Sequence, residues 1–83
     1  MNYAETVRAF IVETFLFGES EKLKEDTSFI EGGIIDSTGI LELVAFLEET
    51  FGLRFEDEEL IPENLDSIAN VVNFLKKKMG AAA

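Results

Sequence analysis

The residue best placed to do chemistry in this chain is Ser37. It stands in Gly32-Gly33-Ile34-Ile35-Asp36-Ser37-Thr38-Gly39, between a pair of glycines and a strongly periodic acidic segment. A serine hydroxyl in that setting has three uses. As a helix cap it contributes about 1 kcal/mol and nothing else. As a nucleophile it needs a general base, yet the chain contains no His, and Ile35-Asp36-Ser37-Thr38-Gly39 lacks the first glycine of a nucleophile elbow. As the acceptor of a phosphoryl group delivered by another enzyme it needs no base of its own. A helix start suits that third use, because its first amides lack intrahelical acceptors and its dipole end is positive. Asp66-Ser67 is an internal comparison. It lacks the Gly-rich approach and the acidic helix behind it, and it reads as a cap only.

The element that must position Ser37 is a helix from Ser37 to Phe51, capped by Asp36 or Ser37 and stopped by Gly52. Ile40, Leu43, Val44, Leu47 and Phe51 recur on one face of it. Leu41 and Ala45 fall off that stripe, among Glu42, Glu48 and Glu49. An earlier helix begins at an Asn2-to-Glu5 capping box, carries Val7, Phe10, Ile11, Thr14 and Phe15 on its face, and stops near Gly18. The connection over 19–36 is anchored by Leu23, Phe29, Ile34 and Ile35, with a turn at Asp26-Thr27-Ser28. Gly32 and Gly33 give the backbone freedom just before the site, either for a tight turn or for close approach of a ligand. A single helical turn is expected before Pro62, taken as a terminator. A last helix opens at Asp66 or Ser67 and presents Ile68, Val71, Val72, Leu75 and Met79. Lys76, Lys77 and Lys78 complement its dipole, and Gly80 ends it. No segment alternates as a strand does. These elements make an all-α fold, a small four-helix bundle of three main helices and one short one, spanning 1–80 with a frayed tail at 81–83.

Composition narrows the function. A chain of 83 residues is one small domain, and 47% hydrophobic content with eight Phe argues for a packed core rather than disorder. Cys is absent, so any thiol chemistry is imported; without His the chain lacks the usual general base near neutral pH, and it is not expected to be an enzyme. Residues 36–66 hold ten acids against Arg54 alone, which places nine of the ten net negative charges there. Such a surface repels nucleic acid and steers basic protein partners toward itself. The acids of 56–59 lack the spacing, central glycine and terminal Glu of a calcium loop, so no metal is expected. No apolar run is long enough to span a membrane and no signal-peptide pattern opens the chain, so a cytoplasmic monomer is expected.

The segment from Gly33 to Phe51 resembles the modification site of acyl carrier proteins and the related peptidyl carrier domains, in which an Asp-Ser pair opens the second of four helices. The resemblance implies an acyl-carrier-protein-like bundle and a 4'-phosphopantetheine arm, transferred from coenzyme A onto Ser37, whose terminal thiol holds an acyl or aminoacyl cargo as a thioester. Asp36 and Gly33 belong to that attachment site by position. Thr38, Leu41, Glu42, Ala45, Glu48 and Glu49 would form the face that partner enzymes approach. The implied partners are a phosphopantetheinyl transferase, an adenylate-forming acyl or amino-acid ligase, and downstream acyl-transferring enzymes. The family's fatty-acid members usually carry Leu after the serine where this chain has Thr38, which points to loading by a dedicated ligase. Eight Phe are expected to fill the interior and keep the cargo short or exposed. The competing reading is an acidic helical adaptor that only binds proteins, with Ser37 as its cap.

Overall fold

A computed structural model describes residues 3–19, 21 and 23–79. The Asn2 cap, the Gly80 stop and the tail at 81–83 lie outside the described residues. Among the described residues there are four α-helices and no strand: α1 Tyr3–Phe15, α2 Ser37–Phe51, α3 Pro62–Leu65 and α4 Ile68–Lys78. Helix α4 packs on both α1 and α3.

The apolar stripes meet in one core. Val7 and Ile11 of α1, Leu43, Val44, Leu47 and Phe51 of α2, Leu65 of α3, and Ile68, Val71 and Leu75 of α4 are buried together. The long connection contributes Leu23, Phe29 and Ile35. Ile34, Ile40, Val72 and Met79 pack against this core while half-buried. Thr14 shares the α1 stripe yet is exposed, since Phe15 and Leu16 make the contacts at that end. Phe74, outside the expected α4 stripe, is buried and stacks on Phe55 at 4.9 Å between centroids.

Phenylalanine does not fill the interior. Of the eight, only Phe29, Phe51 and Phe74 are buried. Phe10, Phe15, Phe46 and Phe55 are half-buried and pair at the periphery, Phe10 stacking on Phe46 at 4.1 Å and meeting Phe15 edge-on at 5.9 Å. Phe17 is exposed. The composition is satisfied by ring pairs along the outside of the core, geometries that aromatic quadrupoles favour.

Around Pro62 the expectation needs revision. A 3-10 turn does precede it at Asp57–Glu59, but Pro62 opens α3 instead of ending a helix. A first-turn position suits it, because the N–H that proline lacks has no intrahelical acceptor there. Lys78 does more than complement the α4 dipole: its Nζ lies 2.9 Å from Glu59 Oε1. The Glu56 N–H donates to that same oxygen at 2.7 Å. First this backbone hydrogen bond, then Lys78, holds the Glu59 carboxyl below its usual 4.5.

Candidate functional site

Helix α2 begins where the sequence puts it, and Asp36 is the residue that caps it. Asp36 is extended (φ -95°, ψ -175°), and its Oδ1 accepts the Gly39 N–H at 2.8 Å. Ser37 is therefore the first helical residue, exposed, with its hydroxyl relieved of capping. At that position its own amide is one of the helix donors without an intrahelical acceptor.

The approach to Ser37 is built by residues 28–35. Gly33 sits at φ 70°, the left-handed region that glycine favours. At Gly32 the requirement is close approach: an added Cβ would lie 2.8 Å from the Ser28 carbonyl oxygen, whose own bond to the Gly32 N–H is 2.9 Å. The amides of Ile34 and Ile35 both donate to the Phe29 carbonyl, at 2.9 and 3.1 Å, and the Phe29 side chain is fully buried beneath them. The turn expected at Asp26-Thr27-Ser28 is shifted back: the Thr27 N–H donates to the Lys24 carbonyl at 3.2 Å.

The second Asp-Ser pair fastens this loop. Ser67 is the α4 cap, as its sequence suggests, accepting the Asn70 N–H at 3.0 Å. Asp66 does something the sequence did not announce. Its Oδ2 accepts the Ser28 hydroxyl at 2.5 Å, its Oδ1 accepts the Ile30 N–H at 2.9 Å, and its backbone carbonyl accepts the Phe29 N–H at 2.7 Å.

Two clefts flank the start of α2. One, of about 190 Å³, is lined by Ser37 and Asp66 together with apolar Ile30, Ile40, Leu60, Ile61, Pro62 and Leu65. Ile30, Leu60 and Ile61 are left partly exposed along it. The other, of about 330 Å³ and more polar, is walled by Phe15, Gly33, Ile34, Asp36, Thr38 and Glu42. Gly39 lies at its base. A Cβ there would come within 2.6 Å of Ile35 Cγ2 and 2.9 Å of the Phe15 ring, so α1 and the site loop close on α2 only because that side chain is missing. A glycine inside a helical pattern was the available signal, since it costs about 1 kcal/mol against Ala and asks for a packing reason.

The other positions singled out in the sequence divide into two groups. Thr38, Leu41, Glu42, Ala45 and Glu49 form an exposed face of α2, with Leu41 61% exposed among the acids. Glu48 is not part of it. It is half-buried, and its carboxylate accepts the Phe55 N–H at 2.9 Å, holding the chain as it leaves α2. The Gly52 cap at φ 67° turns the backbone into that contact.

No protein-family model matches the chain. Curated proteins do. It is 36% identical over 75 residues to an acyl carrier protein of Petrotoga mobilis, covering 90% of this chain and 85% of the relative. It is 35% identical over 77 residues to an acyl carrier protein of Thermosynechococcus vestitus, covering 93% and 91%. To that of Bdellovibrio bacteriovorus it is 39% identical over 72 residues, covering 87% and 88%.

Proposed function

The chain belongs to the acyl carrier protein family, and we propose that its cargo is an acyl or aminoacyl group borne on a 4'-phosphopantetheine arm attached to Ser37. Carrying a group for other enzymes, and not catalysis, is the role of that family. The observation that carries the attachment reading is the division of labour at the start of α2: Asp36 caps the helix, so the exposed Ser37 hydroxyl has no capping task. The adaptor reading gives Ser37 the capping task, which Asp36 performs instead.

The residues fit the group. An exposed hydroxyl on the first residue of a 15-residue helix places a phosphodiester beside unsatisfied amides and the positive end of the dipole. The apolar cleft that opens beside Ser37 offers Ile30, Ile40, Leu60 and Ile61 to an uncharged part of the arm or its cargo. When bound, the arm supplies a terminal thiol on which the cargo rides as a thioester, chemistry unavailable to a chain with no Cys. In the attachment the Ser37 oxygen bonds to the phosphorus of the arm as the pyrophosphate bond of coenzyme A breaks and the adenosine bisphosphate leaves, and the hydroxyl proton passes to a base of the transferase because the chain has no His. Asp36 fixes the start of α2 by accepting the Gly39 N–H at Oδ1, and its second carboxylate oxygen would be available to a metal held by the transferase. The face of Thr38, Leu41, Glu42, Ala45 and Glu49 receives the transferase, the loading ligase and the downstream enzymes, with negative charge steering basic surfaces to it.

Incubation with coenzyme A and a broad-specificity phosphopantetheinyl transferase, followed by intact-mass and peptide-level mass spectrometry, tests the reading. One phosphopantetheine unit on the peptide holding Ser37, lost in Ser37→Ala, is the expected result. Modification that persists in Ser37→Ala would falsify the assignment.

A further inference from the structure

The α2 face leaves one conspicuous feature unused, at the far end of α1. Phe17 is 89% exposed, more than Ile30, Leu41, Leu60 or Ile61. It is also the one non-glycine among the described residues at positive φ, 52°, a conformation in which an L side chain is strained and which glycine or asparagine adopts more readily. The turn that holds it is pinned on both sides. The Gly18 N–H donates to the Val12 carbonyl at 3.1 Å, and the Glu19 N–H donates to the Leu16 carbonyl at 2.9 Å. An aromatic ring is thus displayed to water from a fixed, unfavourable backbone, with no folding benefit from its burial.

The display is at the Ser37 end of the bundle. Phe15, two residues earlier, lies against Gly39 in the first turn of α2. From Leu16 and Phe15 a trough runs past Thr27, Gly32, Gly33 and Ile34 and continues along Asp36, Thr38 and Glu42. At Gly33 an added Cβ would meet nothing within 4 Å, so another backbone can come close there. Acids predominate near it: Glu13, Glu19 and Glu21 flank the turn in sequence and are exposed, Asp36 and Glu42 line the other end, and Lys24, next to Thr27, is an exposed cation between them.

We propose that the Phe17 turn is a second docking element, an aromatic anchor for the transferase that modifies Ser37, which inserts the ring into an apolar pocket with a basic rim. The proposal rests on Ser37 being the attachment site. An enzyme forming a bond at the Ser37 oxygen must lay its surface over this end of the bundle, trough included. An enzyme working at the tip of a long arm can dock through the α2 face alone, whereas the transferase must also cover the Ser37 oxygen and the Phe15 side of it, so the transferase is the occupant of the turn. Aromatic anchors in desolvated pockets carry much of the affinity of such contacts, while the acids around them act on encounter.

The test compares wild type with Phe17→Gly in the full chain. Glycine suits a φ of 52°, so the variant should melt at the same temperature as wild type or higher. With coenzyme A and the broad-specificity transferase, its KM as protein substrate should rise about tenfold with kcat little changed, a loss of about 1.4 kcal/mol in docking. Phe17→Tyr, which keeps the ring, should recover most of the affinity. Wild type modified with Phe17→Gly at an unchanged KM would overturn the proposal and leave the attachment reading standing, whereas failure to modify wild type at all would overturn that reading itself. A clear fall in melting temperature for Phe17→Gly would make Phe17 a packing residue and also overturn it. So would sedimentation of wild type as a dimer that Phe17→Gly dissociates, which would assign the turn to a second copy of the chain.

Discussion

Asp66 is where a single change should separate loop anchoring from helix formation. Asp66→Ala removes two acceptors at once, the partner of the Ser28 hydroxyl at 2.5 Å and of the Ile30 N–H at 2.9 Å. Hydrogen bonds to a charged group contribute about 1.5–3 kcal/mol each when sheltered. Here Asp66 is half-buried and Ile30 exposed, so water replaces part of what is lost. About 2 kcal/mol for the two together is the resulting estimate. In a domain of this size each kcal/mol moves the midpoint by about 4–8 °C, so the melt should fall by roughly 8–16 °C. Asp66→Asn keeps one oxygen for the Ile30 amide and should cost about half as much. The backbone bond from the Phe29 N–H to the Asp66 carbonyl survives either change, so the loop should loosen without leaving the core. Thermal and urea denaturation followed by circular dichroism give the energies, and hydrogen exchange at the Ile30 amide reports the loop directly. A loss below about 0.5 kcal/mol for Ala, the level of an ordinary surface substitution, would refute the reasoning. So would an Asn variant as unstable as the Ala one, since charge and acceptor count would then not matter.

Four further expectations follow from particular contacts. Asp36→Ala should cost about 1 kcal/mol of stability, while Ser37→Ala should leave the denaturation midpoint nearly unchanged; equal losses would mean the cap is shared. Gly39→Ala should destabilise by about 1–3 kcal/mol despite the better helix propensity of Ala, and a gain in melting temperature would show that Phe15 and Ile35 give way. On α2, Glu42→Lys should slow loading and flatten its salt dependence, while Leu41→Ala should weaken binding about equally at low and high salt; stronger impairment from charge reversal at Lys76, Lys77 and Lys78 would move docking to α4. With its pKa depressed in the fold, Glu59 contributes stability that is present above its usual 4.5 and lost as pH falls through the lower folded value. Glu59→Gln should therefore flatten the acid limb of the stability profile, and an unchanged limb would dismiss the contact.

Much of the framework is legible because it depends on neighbours in sequence. The α2 bounds follow from a cap residue, a 3.6-residue stripe and Gly52, all local, and the structure keeps them at Ser37–Phe51. Phe74 and the peripheral ring pairs are not legible in the sequence, for the opposite reason. Composition counts aromatic rings without saying which other ring each will meet, and Phe55 reaches Phe74 from across the chain. Asp66 is the extreme case. Its partners Ser28 and Ile30 are 38 and 36 residues away, so nothing near it in sequence distinguishes a loop clamp from a spare helix-start acid.

The two Asp-Ser pairs show how little separates those roles. An N-cap requires extended backbone, so that its side chain can turn back to the amides of the first turn. Asp36 has that conformation and takes the cap, which releases the serine after it. Asp66 does not: it closes α3 at φ -87° and ψ 4°, with its N–H bonded to the Pro62 carbonyl at 2.9 Å. The extended position is displaced to Ser67 (φ -159°, ψ 165°), and there the serine is consumed as the cap while the aspartate is released to bind the loop. The same dipeptide therefore presents a free hydroxyl in one place and a free carboxylate in the other, and what decides is whether another helix ends immediately before it. Before Asp36 the chain comes out of the Gly33 turn, with Ile35 buried and no helix to finish, so the cap falls on the first residue of the pair. A helix extended into residues 33–35 would move the cap onto Ser37 and withdraw its hydroxyl. On this account Gly33, at φ 70°, keeps Ser37 available by stopping the backbone from being helical before Asp36 is reached.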